Sequence, residues 1–366
     1  MLCLSPTPLP PQYRATESRP MPPIDVSSPP SPADGVPLRT AVAAHQGPQL
    51  RRSLWQVANS FLPFFGLCAA MYVSRALALP YWTLPPLILL AAGFVVRIFI
   101  IQHDCGHGAF FRSRRANAAM GWACSLITCT PFDNWRRQHA GHHGIWNNLD
   151  RRVSFVDMYS SCMTVAEYRA LGRFARLRYR VLCHPLVALV LLPPVIFLLL
   201  YRLPFDTPKA WRRERWSVWL TNLGLAAVVL ALGFTLGFHS VLAIQLPVMV
   251  VAATVGVWLF SVQHRFEGTA WLRQRDWTAI GAALDGSSYL RLPRLLQWFT
   301  GNIGFHHVHH LNPQVPNYRL QACHEAVPAL QALPGLSLGA ALRGCRLALW
   351  DEEGHRMVGF PRRRQA

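Results

Sequence analysis

At 366 residues the chain could hold one large domain or two small ones. Hydrophobic residues make up 52% and charged residues only 14%, so an integral membrane protein with one embedded domain is the economical reading. The net charge of +19 does not point to nucleic acid, because the arginines flank apolar runs: Arg51 and Arg52, Arg112 with Arg114 and Arg115, Arg136 and Arg137, Arg151 and Arg152, and Arg212, Arg213 and Arg215. That is the distribution of cytoplasmic loops, with anionic membrane lipids as further partners of the charge.

Residues 1–48 carry twelve prolines and read as a disordered tail without the continuous apolar core of a signal peptide. An embedded domain is expected over 49–345, followed by a basic tail over 346–366. Five apolar segments lie at roughly 54–77, 82–101, 186–201, 217–237 and 240–260. The first two form a hairpin through Pro80-Tyr81-Trp82, and the last two form another through Phe238-His239-Ser240. The third is short and broken by Pro193-Pro194. Nine cysteines are scattered singly, which fits reduced thiols and no zinc-finger spacing.

Three histidine clusters sit beside these runs: His103-Asp104-Cys105-Gly106-His107, His139-Ala140-Gly141-His142-His143 and His306-His307-Val308-His309-His310. Residues three or four apart on an α-helix differ by only about 60° or 40°. His103 and His107 therefore share a face, as do His139, His142 and His143, and likewise His306, His309 and His310. Eight imidazoles suffice for two metal ions with positions left open, and nitrogen-only ligation suits iron, copper, nickel or zinc, the ligand number favouring a dinuclear centre over a one-metal zinc hydrolase. His264, just after the last apolar segment, is a ninth candidate ligand. His307 falls off its helical face and reads as structural or as a support to the ligands. Asp104, Asp133, Asp150, Asp157 and Glu267 are carboxylates placed to orient imidazole N–H groups, with helix capping or pairing to neighbouring arginines as the alternative. His45, His184, His239, His324 and His355 read as surface histidines.

A shared metal site fixes topology by parity. All three clusters must lie on one side of the membrane, so an even number of crossings separates the second from the third. The segment 186–201 is then re-entrant or interfacial. The expected fold is an all-α integral membrane protein: four transmembrane helices in two hairpins, one re-entrant segment and a histidine-rich helical cap. The cap and both termini are expected on the cytoplasmic side.

The order HxxxH, HxxHH, HxxHH around apolar hairpins resembles the membrane fatty acid desaturase family. His103 through Phe111 is similar to its first box, and His139 through Arg152 to its second. Gly301-Asn302-Ile303-Gly304 before the third cluster, then Leu311-Asn312-Pro313 and Pro316-Asn317-Tyr318, is similar to the acyl-lipid delta-12 (omega-6) branch, as is Gln263-His264 through Glu267. The resemblance covers about residues 50–330. It implies two iron ions, O2 as co-substrate, a fatty acyl lipid or acyl-CoA as substrate and a cis double bond as product. It also implies ligand roles for His103, His107, His139, His142, His143, His264, His306, His309 and His310, and a contact of Asn302 with the metal through water. No fused cytochrome b5 signature occurs, so a separate ferredoxin or cytochrome b5-like donor is expected. Trp122, Trp135, Trp146, Trp258 and Phe305 are candidate walls of an acyl tunnel, with interfacial anchoring or core packing as the alternative. The rival readings are a membrane hydroxylase or carotenoid ketolase with the same centre, a catalytically silent relative, and a metal transporter. A transporter would place its histidines at mid-bilayer rather than at the ends of the spans.

Overall fold

The computed structural model describes residues 35–152 and 161–361, and four of its helices are long and apolar enough to cross a membrane. A short helix α1 (Gly35–Ala43) precedes the first of these, α2 (Leu50–Ala76). A turn through Tyr81–Thr83 leads into α3 (Leu84–His107), and α4 (Arg114–Thr128) and α5 (Phe132–Ile145) follow. Strand β1 (Met163–Thr164) is joined to α6 (Val165–Ala170), α7 (Arg173–Leu182) and α8 (Leu192–Leu198). The second long pair is α9 (Arg212–Leu236) and α10 (Phe238–Val262). The remaining elements are α11 (Ala279–Leu284), β2 (Tyr289–Leu290), α12 (Arg294–Phe299), α13 (His306–Leu311), α14 (Asn317–Ala326), α15 (Pro328–Gln331), β3 (Gly335–Leu336), α16 (Leu338–Gly344), β4 (Leu349–Asp351) and β5 (Arg356–Val358).

The four expected spans correspond to α2, α3, α9 and α10. Helix α3 is central and packs against α2, α4 and α10. On α2, Ser53, Gln56, Ser60, Phe64, Cys68, Met71 and Ser74 are buried. Their three- and four-residue spacing puts them on one stripe, while Trp55, Leu62 and Phe65 on other faces stay exposed, as lipid-facing residues do. The segment expected at 186–201 is helical but broken: α7 and Val187–Arg202 meet at a bend of 55°, with Pro193 and Pro194 in α8. On α7, Phe174, Leu177 and Val181 form an exposed stripe while Tyr179 is buried. Arg173 and Arg178 flank that stripe, the pattern of a helix lying in a membrane surface.

Two expectations about the chain ends are corrected. The stretch 1–48 is not all tail, since α1 is helical and Val42 is buried in a cluster with Ile303, Val308 and Leu320. Residues 1–34 lie outside the described residues. Of the expected basic tail at 346–366, residues 346–361 are not simply a tail either, and 362–366 lie outside the described residues. Strands β4 and β5 pair antiparallel, and β4 pairs parallel with β1. Trp350 and Met357 pack on Trp146 and Trp271. Burying two large apolar side chains outweighs the solubility of the surrounding charges. A second small sheet, β2 with β3, is also parallel.

The cap is set on the bundle by close packing at Gly121 on α4. A Cβ there would lie 2.3 Å from the ring of Phe132, the fully buried first residue of α5. Only glycine lets α5 approach so closely. Gly121→Val is expected to cost about 1–3 kcal/mol by overpacking, read as a lower melting temperature of the detergent-purified protein. An unchanged melting temperature would contradict this packing.

Candidate metal centre

Four chain segments deliver histidines to one buried place. The last turn of α3 presents His103 and His107, and the left-handed Gly108 (φ 70°) turns the chain away immediately afterwards. Helix α5 presents His139, His142 and His143, α13 presents His306, His309 and His310, and His264 follows two residues after the end of α10. His103, His139, His142, His264, His306 and His309 are buried, and His107, His143 and His310 are half-buried.

The nine fall into two groups. His103, His107, His139, His143 and His309 each offer a nitrogen, and these nitrogens all lie within 4.8 Å of one another. His142, His264 and His310 do the same. His306 adjoins this second group, its Nε2 lying 3.0 Å from His264 Nε2 and 3.1 Å from His310 Nε2. Further Nε2–Nε2 separations are 3.0 Å for His142 with His264 and for His309 with His143, and 3.2 Å for His143 with His139. Imidazole nitrogens about 2.1 Å from one metal ion and at right angles to each other stand about 3.0 Å apart. The observed edges match that spacing.

The electrostatics fit as well. Burial, followed by the repulsion of neighbouring imidazoles, holds His139, His143, His306, His309 and His310 well below the usual histidine range. His264 is lowered by burial and by His306 and His142, while the Gly286 carbonyl opposes the shift. Neutral rings keep the lone pair that a metal requires. Nε2 of His103 and of His107 is buried with no hydrogen-bond partner, an arrangement that costs free energy unless a ligand fills it. Nitrogen donors of this number and spacing therefore fit a pair of borderline metal ions.

The surroundings fix the rings. Asp104 Oδ1 lies 3.2 Å from His103 Nδ1, so Nδ1–H donates and Nε2 faces the cluster. His264 Nδ1 lies 3.3 Å from the Gly286 carbonyl, which also accepts from Trp146 Nε1 at 2.7 Å, and the Trp146 ring lies 3.9 Å from that of His264. No sequence pattern points to Gly286, whose contribution is a backbone carbonyl. A Cβ there would lie 2.5–2.6 Å from Ala282 O, Asn147 Nδ2 and Trp146 Nε1.

Other expected supports lie elsewhere. Asp150 accepts from Arg273 Nη1 at 2.7 Å and from the Gln274 amide at 2.9 Å, tying two loops together at the rim. Glu267 is exposed. Asn302 spends both ends of its amide on Asn317 O and Gln297 Nε2, each at 3.1 Å. Asp133 pairs with Arg213 at 2.9 Å and docks α5 on α9. Asp157 lies outside the described residues. His307 turns away from the cluster to His324 Nδ1 at 3.1 Å. His324 is accordingly buried, not the surface residue its polar neighbours suggested.

An apolar cavity between α3 and α10 ends on His103, His139 and His306. Phe197 and Tyr201 of the broken segment close one side, and Trp135 and Phe260 flank the histidine end. Of the five aromatic wall candidates, Trp135 lines the cavity, stacked on His139 at 4.7 Å. Trp146 instead backs His264.

Membrane-length helices beneath converging imidazoles, with an apolar cavity leading to them, define a membrane protein whose histidine clusters fit a metal site. A model of the fatty acid desaturase family matches residues 79–339. The fatty acid desaturase of Bacillus subtilis is 41% identical over 323 residues, covering 88% of this chain and 90% of the relative. Two relatives from Synechocystis are more distant. The sn-1 acyl-lipid omega-3 desaturase (ferredoxin) is 29% identical over 305 residues, 79% of each chain. The sn-1 oleoyl-lipid 12-desaturase is 26% identical over 269 residues, 72% of this chain and 74% of the relative. The chain belongs to the fatty acid desaturase family, an oxidoreductase family.

Gly286→Ala is expected to push Trp146 and the 286 carbonyl apart, release His264 and lower metal binding by roughly tenfold or more. Titration of the purified protein with Fe2+ would measure this. Wild-type affinity in that variant would show that the carbonyl does not orient His264.

Proposed function

We propose that this protein is an acyl-lipid desaturase that introduces a cis double bond into a fatty acyl chain, using two iron ions, O2 and two electrons. The observation that carries the reading is the apolar cavity lined by the membrane-length helices α3 and α10 and ending on the imidazole groups. The five-histidine group would hold one iron, and His142, His264, His306 and His310 the other. When bound, the iron pair supplies the redox chemistry that reduces O2 to two water molecules with two electrons, two protons and the two hydrogens taken from adjacent methylenes.

The chain's own residues do the rest. The cavity walls hold the acyl chain extended and dry, so the methylenes beside His103, His139 and His306 are set by position. Methylenes are nearly identical chemically, and one differs from the next by too little binding energy to be chosen otherwise. Trp135, stacked on His139, and Phe260, 5.2 Å from His142, keep water from the reacting end. Asp104 and the Gly286 carbonyl hold protons on the outer nitrogens of His103 and His264, leaving the inner nitrogens to the metal.

A delta-12 site on an oleoyl chain is the proposed preference, supported by the third-cluster segments and by the 12-desaturase relative. A separate electron donor of the ferredoxin or cytochrome b5 type is proposed, in keeping with the relative named for ferredoxin. The arginine-rich loops favour a cytoplasmic cap, where an acidic donor would dock by charge complementarity. The test is expression in a host lacking polyunsaturated lipids, with mass spectrometry locating double bonds in its fatty acids. A new double bond at carbon 12 is expected, and His309→Ala should abolish it while the protein remains in the membrane. A hydroxylated or oxygenated product, or retained unsaturation in the His309 variant, would refute this reading.

A further inference from the structure

Asp104 is nearly fully buried, and its exposure is 2%. Among the described residues no arginine or lysine pairs with it; its one ion-pair partner is His103. A buried carboxylate without such compensation is expensive, and here N–H donors surround it instead. Asp104 Oδ2 accepts from the backbone N–H of Asn317 at 2.7 Å and from Asn317 Nδ2 at 2.8 Å. Asn317 is the first residue of α14, so its backbone N–H has no partner within that helix. Gln56, on the buried stripe of α2, then orients the asparagine: its Nε2 donates to Asn317 Oδ1 at 3.0 Å, and its Oε1 lies 3.2 Å from Asn317 Nδ2. Gln56 is 3% exposed and Asn317 1%, so water does not compete for these bonds.

The amide of Asn317 has one orientation that satisfies both neighbours: nitrogen toward the carboxylate and oxygen toward the Gln56 amide nitrogen. That orientation holds Asp104 Oδ1 against His103 Nδ1 at 3.2 Å. Because a carboxylate only accepts, His103 is held as the Nδ1–H tautomer, and its Nε2 lone pair is directed into the five-histidine group. We propose that Asn317 and Gln56 are positioning residues for that group, acting through Asp104 on the orientation and tautomer of His103. The proposal rests on the reading of His103 as a metal ligand. It concerns one of the two groups only, because the relay reaches His103 and does not touch His142, His264, His306 or His310.

The test uses the full-length protein in lipid nanodiscs, titrated with 57Fe2+ under anaerobic conditions, with bound iron counted and Mössbauer spectra recorded. Asn317→Ala keeps the backbone N–H on Asp104 but removes the side-chain donor to it and the acceptor for Gln56. Gln56→Glu deletes nothing near Asp104 but favours the flipped asparagine, drawing Nδ2 away from the carboxylate. Both variants are expected to weaken iron binding at one site by roughly tenfold to hundredfold and to shift one of the two iron subspectra while the other stays unchanged. If Asn317→Ala does not fold, Gln56→Glu carries the test alone. Wild-type affinity and both subspectra unchanged in a folded variant would overturn the proposal. So would an equal change in both subspectra together with a lowered melting temperature, which marks a merely structural role. Wild-type protein that takes up no iron would instead overturn the underlying metal assignment.

Discussion

The crowding of nine imidazoles, six of them buried and three half-buried, into one place is the constraint on which the rest of the architecture depends. Each ring carries two nitrogens that must find a partner, and a buried unsatisfied polar atom costs about 1–3 kcal/mol. Protonating His139, His143, His264, His306, His309 or His310 offers no escape, since burial and mutual repulsion both disfavour charge there. Within the protein, some nitrogens satisfy one another at about 3 Å, others reach Asp104 or the Gly286 carbonyl, and Nε2 of His103 and His107 and Nδ1 of His306 are left without a hydrogen-bond partner. A site of this kind is tolerable as metal ligation and poor as plain core packing.

Holding it requires rigid delivery from distant parts of the chain. Helix α5 has little apolar surface and leans on its neighbours. Gly121 admits Phe132 against α4, and Asp133 pairs with Arg213 while Arg137 bonds to Glu214 at 3.0 Å, fastening α5 to α9. Helix α3 carries His103 and His107 directly out of the bundle core. The same helix lines the cavity four to eight residues earlier with Val95, Val96 and Phe99. One rigid rod thus serves both the apolar cavity and the histidine end, so the depth of the cavity and the position of the imidazoles are coupled.

Much of this was legible in the sequence because it is periodic or long. Apolar runs of membrane length locate α2, α3, α9 and α10, and three- and four-residue spacing separates the converging histidines from His307. The parts that were not legible depend on contacts between remote segments. Asp150 and Glu267 lie close to histidines in sequence, yet Asp150 is drawn to Arg273 and Glu267 faces outward, because proximity in sequence says nothing about which side a loop presents. Gly286 contributes a carbonyl, and carbonyls carry no residue signature. The C-terminal strands are three residues each, too short for alternation to register, and are held by Trp350 and Met357 packing on partners far away in the chain.

X-ray absorption at the iron edge, with metal quantified in the same purified sample, tests the central claim most directly. Two irons per chain are expected, with a first coordination shell dominated by imidazole nitrogen and the outer-shell scattering of rigid rings. Desaturating protein that holds no iron, or iron bound mainly by sulfur or carboxylate oxygen, would contradict it.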